Sequence, residues 1–410
     1  MDMTLLDAMH VAEPEAAAEA AGAEGAGAEA CGAVASAAGA GVAAERGASA
    51  VARVAPRAAE RRGVRALAAE VAPAWFATVM GTGVLAVAAE LLPVRAGVLD
   101  GFAVVAWVAA AVLLGALLAT IPGNRARWRA TAGEPALGVP PMALMTVAAA
   151  TALAGRHVIG EHAALIVALA LWSAGTAAAL VVAVAVPAAM VTRHRPVLAD
   201  ASGAWVLPLV PPMVSATTGA GLVAHVPAGQ ARLDLLLFLY ALFGLSLLPT
   251  LLTVGVVWAR LLLHGPGPAE RAPALWVVLG PLGQSITAAS LLGAAAAHTV
   301  DGPAAHALRA FGLMYGVIVW GFAVLWLALA IVLTRHHASR DGVPFTAAWW
   351  SFVFPVGTLV TGTSELAIRT GSDALRGGAV VLFIALLGVW AVTAARSGGA
   401  VAGRLGLRRA

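Results

Sequence analysis

The stretch that decides the fold is Trp349-Trp350-Ser351-Phe352-Val353-Phe354-Pro355-Val356-Gly357-Thr358, running on through Leu359 to Leu366. It is apolar enough for a bilayer, yet it carries a proline, glycines, threonines and the carboxylate of Glu365. At helical spacing Phe354, Thr358, Thr361 and Glu365 form one stripe, at i, i+4, i+7 and i+11. Phe352, Val356, Leu359 and Thr363 form a second, mostly apolar one. A helix bathed in lipid has no use for a hydroxyl stripe, whereas one lining a wet cavity blocked by a single aromatic ring does.

Composition sets the solvent. The chain has 410 residues, 61% hydrophobic and only 11% charged, with no lysine and a mean hydropathy of +0.89. Soluble domains run near one quarter charged, so this is an integral membrane protein. The Ala/Gly/Val and Arg bias points to a GC-rich bacterial genome. The single cysteine, Cys31, excludes disulfides and thiolate metal sites within the membrane. No cofactor, metal or nucleic-acid partner is expected.

Residues 1–70 are Ala/Gly/Glu-rich with almost no aromatics, and they read as a disordered cytoplasmic tail. Their acidic start argues against a cleaved secretory signal. Arg53, Arg57, Arg61, Arg62 and Arg65 crowd the approach to the first span. Beyond the tail, 19 basic groups stand against 11 acidic ones. Ten apolar segments of crossing length follow, near 72–92, 98–120, 136–154, 162–190, 204–225, 232–262, 273–297, 304–333, 345–366 and 375–395. They make up a transmembrane domain over 71–396, leaving 397–410 as a basic cytoplasmic tail. Threaded through ten crossings, 19 arginines fall on one side and six on the other: Arg95, Arg156, Arg232, Arg309, Arg369 and Arg376. That asymmetry places both termini in the cytoplasm of a plasma-membrane protein.

Odd and even segments differ in kind. The odd ones hold breakers and small polar groups: Thr78, Gly81, Thr82 and Gly83; Pro140, Pro141 and Thr146; Pro208, Pro211, Pro212, Ser215 and Thr218; Gly280, Pro281, Gln284 and Thr287; and the opening stretch. Even segments are mainly Ala, Val, Leu and Trp, apart from Pro249, Thr250 and Thr253 in the sixth. Proline leaves a carbonyl unpaired, which hydrocarbon cannot satisfy. Glycine and proline also serve close packing in membranes, but alternation through five segments argues for a shared inner ring.

The runs Trp75–Gly83, Gly280–Ser285 and Trp349–Pro355, in register with ten spans, resemble the tellurite-resistance/dicarboxylate transporter family, which includes fungal malate and sulfite carriers and plant slow anion channels. The resemblance covers 72–395. It implies an all-α bundle of ten transmembrane helices, arranged as five hairpins with odd helices around a central pore and often assembled as a homotrimer. It also implies a phenylalanine on the ninth helix that plugs the pore. Phe354 is that residue here because its stripe is the polar one, while Phe352 lies about 200° away around the helix. Counting helically from Phe345 puts Phe354 about 14 Å deep.

The chemistry expected is passage of a small anion, a C4-dicarboxylate such as malate, or sulfite or another small inorganic anion. Neutral donors suit it, because tight charge pairing would trap the ion. Candidate pore-lining residues are Thr78, Gly81, Thr82, Thr146, Pro211, Ser215, Thr218, Gly280, Gln284, Thr287, Thr358 and Thr361. Serine and threonine in membranes also bond back to their own helix. Glu365 and Glu90 end spans and read as interface carboxylates; with His225 and His298 they form a candidate outer-mouth ring that would make transport pH-sensitive. The twelve tryptophans read as interface anchors and lipid-facing bulk. His336-His337 lacks a metalloprotease spacing, so an enzyme is disfavoured. A membrane scaffold or sensor that moves nothing would leave the hydroxyl stripe without a purpose.

Overall fold

The computed structural model describes residues 71–340 and 342–404; the tail expected over 1–70 and the last residues of the C-terminal tail lie outside that range. No strand occurs among the described residues. The principal helices are α1 (Ala77–Leu91), α2 (Gly97–Thr120), α3 (Val139–Ala150), α4 (Glu161–Ala189), α5 (Pro211–Leu222), α6 (Gln230–His264), α7 (Leu279–Ala296), α8 (Pro303–Ala338), α9 (Phe354–Thr370) and α10 (Asp373–Arg404). Helix α10 runs well past 395, the end expected for its span.

Nine helical segments among the described residues are long and apolar enough to cross a membrane. The expected fifth crossing is not among them, because its α-helix is only 12 residues long. The reason is local: Pro208, Pro211 and Pro212 remove backbone donors and clash with preceding turns, so 207–210 bends before α5 can start. Short 3₁₀ turns, Gly203–Val206 and Val223–His225, flank the region.

Burial separates the segments sharply. The spans containing α1, α3, α7 and α9 are between 61% and 89% buried, those containing α2, α4, α6, α8 and α10 between 22% and 33%. The exposed helices are the more apolar ones, since lipid is their solvent. Helix α1 packs on α3, α3 on α5, α5 on α7, α7 on α9, and α9 back on α1. Each exposed helix lies against the buried one preceding it and also touches the next.

Two devices hold the buried helices in place. One is close backbone approach: a Cβ at Gly283 would sit 2.5 Å from the Thr358 carbonyl carbon, and one at Gly357 would sit 2.5 Å from Val84 Cγ1. Only glycine lets α9 approach α7 and α1 that closely. The other device corrects the reading of the tryptophans as lipid-facing bulk. The Trp107 indole of α2 donates to Thr151 Oγ1 (2.9 Å) just past α3, and Trp172 of α4 donates to the Ser215 carbonyl of α5 (3.0 Å). Trp320 of α8 donates to Thr363 of α9 (3.0 Å), and Trp390 of α10 to Thr82 of α1 (3.3 Å). Helix α6 makes its link through Ser246, which donates to the Leu209 carbonyl at 2.6 Å, ahead of α5. In a medium without water, each such bond satisfies an inner polar group from the outside.

Candidate functional site

Phe354 is the first residue of α9, and its position follows from the local sequence. Pro355 lies in the first turn, where its missing N–H costs nothing, and the preceding Ala347–Phe352 is a 3₁₀ helix. A 3₁₀ segment rises about 2.0 Å per residue rather than 1.5 Å, so the depth counted along a continuous α-helix from Phe345 does not apply. Phe352 turns elsewhere, edge-on to Trp276 at 5.3 Å and to Trp349 at 5.6 Å.

Two cavities meet at Phe354. The first, here called the polar cavity, has a volume of about 250 Å³ and a mainly aliphatic wall that includes Val84, Val87, Leu153 and Leu165; into it Thr146 of α3, Thr217 and Thr218 of α5, Gln284 and Thr287 of α7, and Thr361 of α9 bring polar groups. Arg156, Glu161 and His225 also form part of its wall. An apolar cavity of about 240 Å³ is lined by Met80, Met142, Val277, Gly280, Trp350 and Pro355, with Ser351 and Glu270 as its polar groups. Among the described residues Phe354 alone lines both, and it is itself buried.

The polar wall has its own order. Thr287 and Thr361 share a hydrogen bond at 2.9 Å across the α7–α9 contact. Thr146 donates to Met142 O (2.8 Å), Thr217 to Met213 O (2.9 Å) and Thr361 to Thr358 O (3.0 Å). These hydroxyls are therefore already donating, and each must exchange a backbone carbonyl for a ligand. Such an exchange is near neutral in free energy. Gln284 differs: it is buried at 8% exposure, faces the polar cavity and has no hydrogen-bond partner among the described residues. Its amide is an uncommitted neutral donor in the site.

Of the residues expected to line a pore, the polar cavity gathers Thr146, Thr218, Gln284, Thr287 and Thr361, together with His225; Gly280 faces the apolar cavity. The others line neither. Thr78 donates to Trp75 O (2.8 Å), Gly81 lies under the Trp350 ring, and Thr82 accepts from Trp390. Ser215 bonds Thr176 of α4 at 2.6 Å, Thr358 donates to Pro355 O (2.8 Å), and Pro211 opens α5. Each sits on a face turned toward a neighbouring helix or back on its own, which hydroxyl content alone does not reveal.

The outer-mouth ring is also corrected. Glu365 is buried between α7 and α9, accepting from Ser290 (3.1 Å) and paired with Arg369 (2.9 Å). His298 lines neither cavity, and its carbonyl accepts from Arg232 (2.9 Å). Sequence reasoning passed over Thr217, Arg156 and Glu161. Arg156 had a signal, as one of the six arginines on the minority side in a short connection between spans.

Comparison with known proteins now fits this geometry. Residues 70–397 match the voltage-dependent anion channel family. The chain belongs to that family. A sulfite efflux pump of Trichophyton rubrum is 27% identical over 72% of this chain and 81% of that protein. An uncharacterized transporter of Methanocaldococcus jannaschii is 26% identical over 47% of the chain and 53% of its own length. The malic acid transport protein of Schizosaccharomyces pombe is 24% identical over 45% and 43%. As a member of this anion channel family the chain is a multi-pass membrane transporter of small anions, not an enzyme.

Proposed function

We propose that the chain carries a small oxyanion of the sulfite class across the membrane, along a route that joins the two cavities and is closed by Phe354. The observation that carries this reading is that, among the described residues, one benzyl side chain is the only wall the two cavities have in common. In this reading the bent segment around α5 completes a tenth crossing, the ten segments form five hairpins with the odd ones inside, and three copies assemble. The arginine asymmetry orients both termini to the cytoplasm of a bacterial plasma membrane, with the polar cavity opening outward. Sulfite is favoured over malate for two reasons. The sulfite pump is matched along most of its length. Among the described residues the polar cavity's wall also holds one guanidinium, Arg156, beside Glu161, His225 and neutral donors, with no second arginine to clamp a second carboxylate bidentately.

The test is flux in proteoliposomes bearing the purified full chain, with sulfite, malate, chloride and nitrate offered in turn. Sulfite flux above that of protein-free vesicles, raised further by Phe354→Ala, supports the reading. Absence of flux for every anion leaves a membrane scaffold, and malate carried in preference to sulfite overturns the substrate assignment.

A further inference from the structure

Glu90, near the end of α1, is a carboxylate withdrawn from solvent without adequate partners. Its side chain is 3% exposed and its Oε1 makes no hydrogen bond. Two basic side chains flank it, both from the turn Arg156–Ile159 that follows α3: His157 Nε2 is 3.6 Å from Oε1, and Arg156 Nη2 is 4.0 Å from Oε2. Both separations exceed hydrogen-bond length, so neither group is committed to the carboxylate. A buried carboxylate needs a countercharge, and here two groups compete to supply it. Arg156 also belongs to the wall of the polar cavity, where an arriving anion would seek the same guanidinium.

We propose that Arg156 is the residue that receives the anion at the mouth of the polar cavity, and that His157 sets its availability by taking over Glu90 when protonated. This rests on the polar cavity being part of the conduction route. With His157 neutral, Glu90 draws on Arg156. With His157 protonated, the imidazolium lies beside Oε1, the carboxylate is neutralised from that side, and the charge on Arg156 is left for the anion. The charged and titratable groups around this point are Glu90 from α1, Arg156 and His157 after α3, Glu161 at the start of α4 and His225 after α5. Two carboxylates against one guanidinium give a net −1 with both histidines neutral and +1 with both protonated. Pairing and field therefore act in the same direction: acid on this face favours the anion. Histidine is the side chain that changes charge between pH 5 and 8. His225 contributes to the field alone, and His157 to both, so the two are separable.

The experiment uses planar bilayers containing full-length Phe354→Ala protein, with chloride as the probe because its charge does not change with pH. The pH is lowered from 8 to 5 on each face in turn. The expected result is a rise in chloride current of about threefold or more from one face only. Adding His157→Gln should abolish most of that rise, whereas His225→Gln should only diminish it. Glu90→Gln should hold the current high at both pH values, and Arg156→Gln low at both. Arg156→Lys keeps the charge and should retain the acid response, which separates loss of charge from loss of assembly. A rise that survives His157→Gln undiminished, a current unchanged by Arg156→Gln, or no pH response from either face overturns the proposal. No current for any anion in the Phe354→Ala parent is a different outcome, which removes the conduction reading and this inference with it.

Discussion

The two cavities that meet at Phe354 are almost equal in volume and differ in how many polar groups interrupt a largely apolar wall. One sets threonine hydroxyls and the Gln284 amide into an aliphatic wall, with Arg156 among its lining residues; the other is walled by methionine, valine, tryptophan and proline carbons with few polar groups. An anion in the first can trade hydration water for protein donors. In the second it has almost nothing to trade for, so it must keep its water there or the cavity must dry. On the route proposed above, the difference gives the barrier two parts, a ring that blocks and an apolar chamber that resists wetting. The glycine contacts at Gly283 and Gly357 hold α9 against α7 and α1, so that Phe354 stays at the junction.

The comparison can be broken most directly at its boundary. Phe354→Ala joins the chambers, and flux in proteoliposomes is expected to rise by about tenfold or more, the equivalent of about 1.4 kcal/mol off the barrier. Unchanged flux from correctly assembled protein would mean the two cavities do not communicate through this residue. On the polar side, Gln284→Leu removes an uncommitted neutral donor, worth one hydrogen bond of about 0.5–1.5 kcal/mol. Measured by the concentration dependence of sulfite flux, apparent affinity should fall about fivefold. On the apolar side, Val277→Thr adds a hydroxyl at nearly constant volume and should ease wetting. In the Phe354→Ala background it is expected to raise chloride current about twofold; no change would show that the apolar wall imposes no resistance of its own. The smallest effect on transport is expected from Trp390→Phe, which touches neither cavity and removes only the bond to Thr82. It should leave flux intact while lowering the melting temperature in detergent by about 1–2 °C, as loss of about 1 kcal/mol does in a chain this large.

Much of the architecture was legible in the chain, and the particular places where it was not are instructive. The alternation of broken, hydroxyl-bearing segments with plain apolar ones foretold which spans are buried, because lipid-facing helices must be apolar all round while packed ones need small residues. Phe354 and Phe352 do have different surroundings, but a 3₁₀ helix ends at Phe352 and the α-helix starts at Phe354, so the α-helical angle counted between them does not apply. The bent segment around α5 was read as an ordinary span because hydropathy does not register that three prolines leave only 12 residues of α-helix. The hydroxyls were harder. Thr82, Ser215 and Thr361 look alike in sequence, yet one accepts from Trp390, one bonds Thr176 and one faces the polar cavity.

The amino-acid sequence by itself determined the solvent, the helical class and the alternation of buried and exposed segments. Those properties are local or periodic, and a single helix expresses them. Only the tertiary structure decided which polar groups meet the cavity, which are satisfied by a tryptophan from the neighbouring helix, and that Glu90 stands beside Arg156 and His157. Hydrogen-bond partners in a medium without water are chosen by whichever helix lies alongside, and that choice joins residues far apart in the chain.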